Sequence, residues 1–289
     1  MYASKGPVVE EWADRRFFRP IGWRLARALV PTRVTPDAVT LASLVVGLVA
    51  GHLFWYASAW INAAGVLLFV ASDVLDSADG QLARLRGTST RTGRILDGVS
   101  DSLRFVNLYA HLGARLFVAG RGWGGAALAF AALMSHTYQA GAADYIRQAY
   151  LYFAVGRGSE LDLPEQTRPA GASMWERLSA WLYHDYVRRQ AWLFPRTTAL
   201  VRAVGGRSGQ AVPAPLRADW AERQAPLVAD CAWIAQNIRF ALLAVTAVPG
   251  WPAAYCWVIV GPLNIVLIAL VLAHERRAAS ELPVDAQLA

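Results

Sequence analysis

An apolar run that begins near Trp60 continues through INAAGVLLFVAS and passes without a break into DVLDSADGQLARLRGTSTRTGRILDGVSDSLR, from Asp73 to Arg104. That junction constrains the fold more than any other feature of the chain. An ionised carboxylate in a low-dielectric setting costs several kcal/mol or more unless it is paired or metal-bound. Asp76, Asp79, Asp97 and Asp101 nevertheless recur at helical spacing beside apolar sequence. At about 100° per residue, Asp76, Asp79, Gly80 and Ala83 share one helix face, with Arg84 at its edge. On the next helix Gly93, Asp97 and Asp101 form an i, i+4, i+8 stripe. The turn LRGTSTRT brings the two faces together, so four carboxylates point into one cleft.

Composition agrees with a bilayer setting. Of 289 residues, 55% are hydrophobic, 17% are charged and 12 are Trp, which suits a polytopic membrane protein better than a soluble globule. A net charge of +7 fits an anionic lipid face or a phosphorylated substrate, and the apolar runs argue against nucleic acid. Cys231 and Cys256 are the only cysteines, too few for a disulfide framework and without metal spacing; they read as small buried residues. The first residues lack a basic region followed by an apolar core, so no cleavable signal is expected.

Residues 8–30 interleave Trp12, Phe17, Phe18, Trp23, Leu25 and Leu29 with Arg15, Arg16, Arg19, Arg24 and Arg27. This pattern predicts an amphipathic helix in the membrane interface, kinked or split at Pro20. Thr35-Pro36-Asp37 is a helix start, and the apolar run from Ala38 to Ala57 is long enough to cross ~30 Å of hydrocarbon. A second span starts near Trp60, and others are expected at roughly 95–118, 123–150, 227–248 and 252–273. The expected fold class is therefore all-α: six transmembrane helices with an N-terminal interfacial amphipathic helix. Residues 1–35 form the N-terminal segment, 36–275 the membrane domain and 276–289 a tail, with 155–225 interrupting the domain as a cytoplasmic or interfacial insertion. Within the insertion Trp175, Leu178, Trp181, Leu182 and Tyr186 stand near helical spacing, and GGRSGQAVPAP reads as a flexible link. Arginines gather in the N-terminal region, the 84–94 turn, the insertion and at Arg276-Arg277, while the links near 57–60 and 248–252 carry no charge. That asymmetry predicts both termini in the cytoplasm, with the acids at the cytoplasmic ends of spans two and three of a cell inner membrane protein.

Hard cations such as Mg²⁺ or Mn²⁺ seek carboxylate oxygens, and Mg²⁺ shares its shell with substrate phosphates. Two such ions ~4 Å apart would bridge a diphosphate and stabilise the departing phosphate. Gly80 and Ala83 leave room for a bulky ligand, and Arg84 offers a planar fork for phosphate oxygens. Asp101, last in the series, is the candidate base toward an attacking alcohol. A calcium loop would want acids at every second residue, and zinc would want His or Cys. Arg91 and Arg94 on the motif turn are candidate acceptor contacts, or positive-inside charges. Arg104, Arg147 and Arg239 sit within or at the edge of spans, where cations pair or bind something. They are candidates for an acceptor phosphate, with an ion pair to the motif aspartates or Asp144 as the alternative. Asp73 reads as a structural hydrogen-bonding residue, and His52, His111, His136, His184 and His274 form no cluster with ligand spacing.

The string Asp76-x-x-Asp79-Gly80-x-x-Ala83-Arg84, then eight residues, then Gly93-x-x-x-Asp97-x-x-x-Asp101 resembles, without a gap, the signature of the CDP-alcohol phosphotransferases. The resemblance covers roughly residues 8–150 and 227–275 and leaves out the insertion. It implies transfer of a substituted phosphate from a CDP-linked donor to a polar alcohol, with release of CMP. By the same resemblance Asp76, Asp79 and Asp97 bind two metal ions, and Asp101 contributes to that site and acts as base. Gly80, Ala83 and Arg84 line the cytidine and diphosphate pocket, with Gly93 counted among the substrate-binding positions. The resemblance also implies a homodimer. One departure is Pro36-Asp37, where many members have Pro-Asn. The expected donor is CDP-diacylglycerol, and the favoured acceptor is inositol or inositol phosphate, ahead of glycerol phosphate or serine. A membrane prenyltransferase is the alternative enzyme, but it lacks the Gly-x-x-Ala-Arg segment and separates its Asp motifs by several helices. A cation transporter would place its acids at mid-membrane and leave Gly80, Ala83 and Arg84 unexplained.

Overall fold

The computed structural model describes residues 6, 8–88, 91–157, 161–167, 174–205 and 212–282, with the backbone alone for 91–97 and 175. Among them there is no strand. The helices are α1 (Arg19–Leu29), α2 (Pro36–Leu53), α3 (Ala59–Arg86), α4 (Arg91–Leu116), α5 (Gly122–Tyr150), α6 (Met174–Leu193), α7 (Pro195–Gly205), α8 (Ala214–Asp230), α9 (Gln236–Leu242), α10 (Pro252–Val260) and α11 (Pro262–Glu281). The chain divides into two compact units, Met1–His136 with Gln236–Pro262, and Thr137–Ala235 with Leu263–Ala289.

Five segments are long and apolar enough to cross a membrane, as a multi-pass protein requires. One of them, Gly98–Val155, has 58 residues, far more than ~30 Å of hydrocarbon can take at about 1.5 Å per residue. It breaks at Ala119 and Gly120, where Gly120 has φ 87°, and so supplies two crossings. The count then agrees with the six expected. The crossing expected at 227–248 is not one regular helix: a 3-10 turn at Cys231–Ile234 and an extended Ala235 separate α8 from α9. Three exposed tryptophans, Trp60, Trp123 and Trp251, stand at the links 54–58, 119–122 and 248–251, as interfacial aromatics do.

In the first unit the helical path runs from Asp14–Phe18 straight into α1, and Pro20 occupies its first turn. The path stays helical through Pro20 because the preceding turn widens, with Arg19 N donating to Asp14 O, so Pro20 does not split the helix, one of the two outcomes expected from sequence. α1 lies close on α3: a Cβ at Gly22 would stand 2.7 Å from Ser77 Oγ. Thr35 caps α2, its Oγ1 accepting from Ala38 N at 3.2 Å. α2 packs on both α3 and α4. Ser43 Oγ donates to Ser72 O at 2.9 Å and Ser72 Oγ donates to Ser43 O at 2.8 Å, a reciprocal bridge between spans. On the α4 side Gly47 and Gly51 let the backbones approach, and a Cβ at Gly51 would meet Leu108 N at 3.1 Å. Gly87, with φ 67°, ends α3 in a left-handed cap. Arg86 then spreads its guanidinium over the carbonyls of Leu29, Val30, Thr32 and Val34 at 2.5–3.2 Å.

In the second unit the insertion helices pack with the end of α5 and with α11. The Glu275 carboxylate caps α7, accepting from Arg196 N at 2.8 Å, Thr197 N at 3.0 Å and Thr197 Oγ1 at 2.7 Å. Trp220 is buried against the rings of Phe153 and His274. Tyr186 and Gln148 both donate to Asp144 Oδ2 at 2.6 Å. Burial, then the carboxylate of Asp144, holds the Tyr186 phenol well above its ordinary pKa. Leu178, Trp181, Leu182 and Trp192 of α6 are exposed, while the side chain of Trp175 lies outside the described residues.

Candidate active site

Two neighbouring helices of the first unit carry the motif. Asp76 and Asp79 stand on α3 with Gly80, Ala83 and Arg84, and Asp101 stands on α4 with Arg104 three residues further. Arg104 is buried, with 3% of its surface exposed, and such a charge survives only with partners. Its Nη2 contacts Asp76 Oδ1 at 3.1 Å and also pairs with Asp101 Oδ1. Its Nη1 reaches Ser72 Oγ at 2.6 Å, Ser43 Oγ at 3.3 Å and Asp73 Oδ1 at 3.3 Å. Carboxylates from α3 and α4 therefore meet at a single nitrogen. Gly47 makes this arrangement possible, because a Cβ there would stand 2.7 Å from Arg104 Cγ.

The carboxylates differ in access. The side chain of Asp101 is 44% exposed and that of Asp76 28%, whereas Asp79 is buried at 5%. Asp79 turns inward, where Thr40 Oγ1 donates to its Oδ2 at 2.5 Å. A hydroxyl bonded this way fixes the orientation of the carboxylate. Arg84 is exposed and folds back over Gly80, its Nη1 lying 3.5 Å from where a Cβ on Gly80 would be.

Several expected residues are placed elsewhere or lie outside the described side chains. Arg91, Gly93, Arg94 and Asp97 belong to the latter group; the α4 backbone sets Asp97 one turn before Asp101. Arg147 lies in the second unit. Arg239 is buried at 2% exposure in the first unit, with Tyr109, Tyr255 and Glu11 as electrostatic neighbours. Asp73 Oδ1 contacts the same Arg104 at 3.3 Å.

Sequence reasoning missed Thr40 as the partner of Asp79, and Ser43, Ser72 and Gly47 as the seat of Arg104. The available signal was a set of small and hydroxyl residues inside apolar spans, which in lipid act as interhelical contacts. It also missed that His52 and His111 pair, with Nδ1 and Nε2 3.0 Å apart. His111 Nδ1 is 2.8 Å from Asn107 O and must donate to it, so in the neutral pair His52 donates to His111.

No group of three or more His, Cys, Asp or Glu side chains poised to hold a metal is found among the described residues, which exclude the side chain of Asp97. The donor chemistry still fits a hard divalent cation. The motif offers carboxylate oxygens and no thiol or imidazole, and Asp76 and Asp101 already converge on one positive charge.

Comparison with known proteins points the same way. Residues 33–154 match the family model described as CDP-alcohol phosphatidyltransferase. The phosphatidylinositol phosphate synthase of Mycobacteroides abscessus is 36% identical over 128 residues, which is 42% of this chain and 53% of that protein. The protein of the same name from Mycobacterium marinum is 38% identical over 102 residues, 35% of this chain and 40% of the relative. The one from Mycolicibacterium smegmatis is 38% identical over 80 residues, 27% and 35% of the two chains. The chain thus spans about half the length, or less, of the curated relatives it matches.

Proposed function

We propose that this chain is an integral membrane CDP-alcohol phosphotransferase that moves the phosphatidyl group of CDP-diacylglycerol to inositol phosphate, releasing CMP. The observation that carries this reading is the meeting of Asp76 and Asp101, from two motif helices, at one cationic nitrogen. The gapless motif and the match of residues 33–154 to the CDP-alcohol phosphatidyltransferase family model support it, and the partial likeness to phosphatidylinositol phosphate synthases favours inositol phosphate over inositol, glycerol phosphate or serine.

Asp76, Asp79, Asp97 and Asp101 would hold two divalent ions, Mg²⁺ or Mn²⁺. When bound, these ions neutralise the diphosphate and stabilise the departing CMP. Gly80, Ala83 and Gly93 leave a smooth wall for the cytidine and diphosphate, and Arg84 grips phosphate oxygens with its fork. Asp101, the most open of the three described motif carboxylates, takes the proton from the acceptor hydroxyl as that oxygen attacks the phosphorus. Arg91 and Arg94 are proposed contacts for the acceptor phosphate; Arg147 and Arg239 stay in that set on charge alone. Arg104 is withdrawn from it because it faces the motif carboxylates. The reading also carries a homodimer in the cell inner membrane with both termini cytoplasmic.

The test is CMP release from radiolabelled CDP-diacylglycerol by the purified protein in lipid nanodiscs. Inositol phosphate, inositol, glycerol phosphate and serine are offered separately, with Mg²⁺, Mn²⁺ or EDTA. The expected result is a metal-dependent phosphatidylinositol phosphate product. Release of CMP with none of the alcohols, or turnover of an isoprenyl diphosphate instead, overturns the proposal.

A further inference from the structure

Arg104 divides its guanidinium between two tasks. Nη1 is bound by residues outside the motif, namely Ser72 Oγ at 2.6 Å, Ser43 Oγ at 3.3 Å and Asp73 Oδ1 at 3.3 Å. Nη2 is bound by the motif carboxylates Asp76 and Asp101. The stem passes over Gly47, where any larger residue would collide with it. Ser43 and Ser72 are also tied to each other's carbonyls, so the Nη1 anchor belongs to the α2–α3 interface and does not depend on the acids.

We propose that Arg104 is the resident counter-ion of the carboxylate cluster: its Nη1 end is fixed in the interface while its Nη2 end holds Asp76 and Asp101 where a divalent cation would draw them. This rests on the metal-dependent reading given above and goes beyond it. Acids that converge on one point repel one another, and a buried guanidinium needs anions. Each solves the other's problem before any ion arrives. Because the anchor lies outside the motif, an incoming ion has only the Nη2 contacts to displace, and Arg104 stays beside it as a repelling charge. Arg104 is thus a positioning residue that lets the site exist without metal and sets an upper limit on how tightly metal is held.

Two variants test this, Arg104→Gln and Arg104→Lys, with full-length protein in nanodiscs and no substrate. Free Mn²⁺ is followed by electron paramagnetic resonance during titration, and unfolding temperature is recorded with and without Mn²⁺. Arg104→Gln should bind Mn²⁺ about tenfold tighter or more, because a competing and repelling charge has gone. It should also unfold at a lower temperature than wild type without Mn²⁺ and recover more of that loss when Mn²⁺ is added. Arg104→Lys keeps the charge and should stay close to wild type in affinity. A purely structural role predicts weaker Mn²⁺ binding in both variants, and that result, or unchanged affinity in Arg104→Gln, overturns the proposal. Should Arg104→Gln not fold, Ser72→Ala, which loosens the Nη1 anchor and leaves the charge free to shift, must tighten Mn²⁺ binding to a smaller degree or the proposal fails. Absence of Mn²⁺ binding by the wild type overturns the metal reading itself, and this proposal with it.

Discussion

At the scale of single residues the site is governed by small and hydroxyl side chains beside the acids. Thr40 reaches Asp79 from another helix, and Asp79 has little other access to solvent. Thr40→Val keeps the shape and removes the donor, leaving a buried carboxylate short of a partner at a cost of about 1–3 kcal/mol. Oriented ligands lose about tenfold or more in metal affinity when such a partner is removed. The expected outcome is weaker Mn²⁺ binding and slower CMP release, measured by titration and by turnover. Gly80 behaves differently. Only the end of the Arg84 side chain lies within 4 Å of a Cβ placed there, at 3.5 Å or more. Gly80→Ala should therefore leave the unfolding temperature unchanged or slightly raised, while the KM for the CDP-linked donor rises about tenfold. An unchanged KM would mean that the ligand does not lie against this face.

At the scale of elements, the α2–α4 contact decides whether the acids can meet. Gly51 has backbone atoms of Leu108 at 3.1 Å and 3.3 Å from a hypothetical Cβ. Gly51→Val should push the helices apart and lower stability by about 1–3 kcal/mol, read as a drop in thermal midpoint in detergent. Some of this layer was legible beforehand. The cap at Thr35, the apolar run of α2 and the entry of α3 into the acids followed from local rules that act within one helix. The contact of Arg104 with Asp76 and Asp101 was only one of two readings open from sequence, the other being an acceptor phosphate. What escaped was set by contacts between helices far apart in sequence. Thr40 reads as one more hydroxyl in an apolar run until α3 is beside it. Pro20 reads as a breaker until the widened turn at Asp14–Phe18 before it is known. The separation of α8 from α9 at Ala235 has no Gly or Pro to announce it.

At the scale of the whole molecule, the chain divides into two compact units, and the second contains the segment read from sequence as an insertion. Glu275, His274, Trp220 and Phe153 join α11, α7, α8 and the turn Leu151–Val155 that follows α5 in the second unit. Buried polar pairs of that kind leave no periodic trace in a sequence. Orientation in the bilayer is open to a direct check, because Cys231 and Cys256 are buried and give no background labelling. Ala119→Cys, on the α4–α5 link, should react with an impermeant maleimide in intact spheroplasts. Arg33→Cys, on the α1–α2 link, should react only after permeabilisation; the reverse pattern would invert the proposed topology. Arg86 gives the layout a mechanical side. Two residues beyond Arg84, it rivets the strip of chain that leaves α1 to the foot of α3. The chain that leaves α1 and the helix presenting the acids thus share one anchor, so α1 cannot slide along its axis without straining the bonds of Arg86.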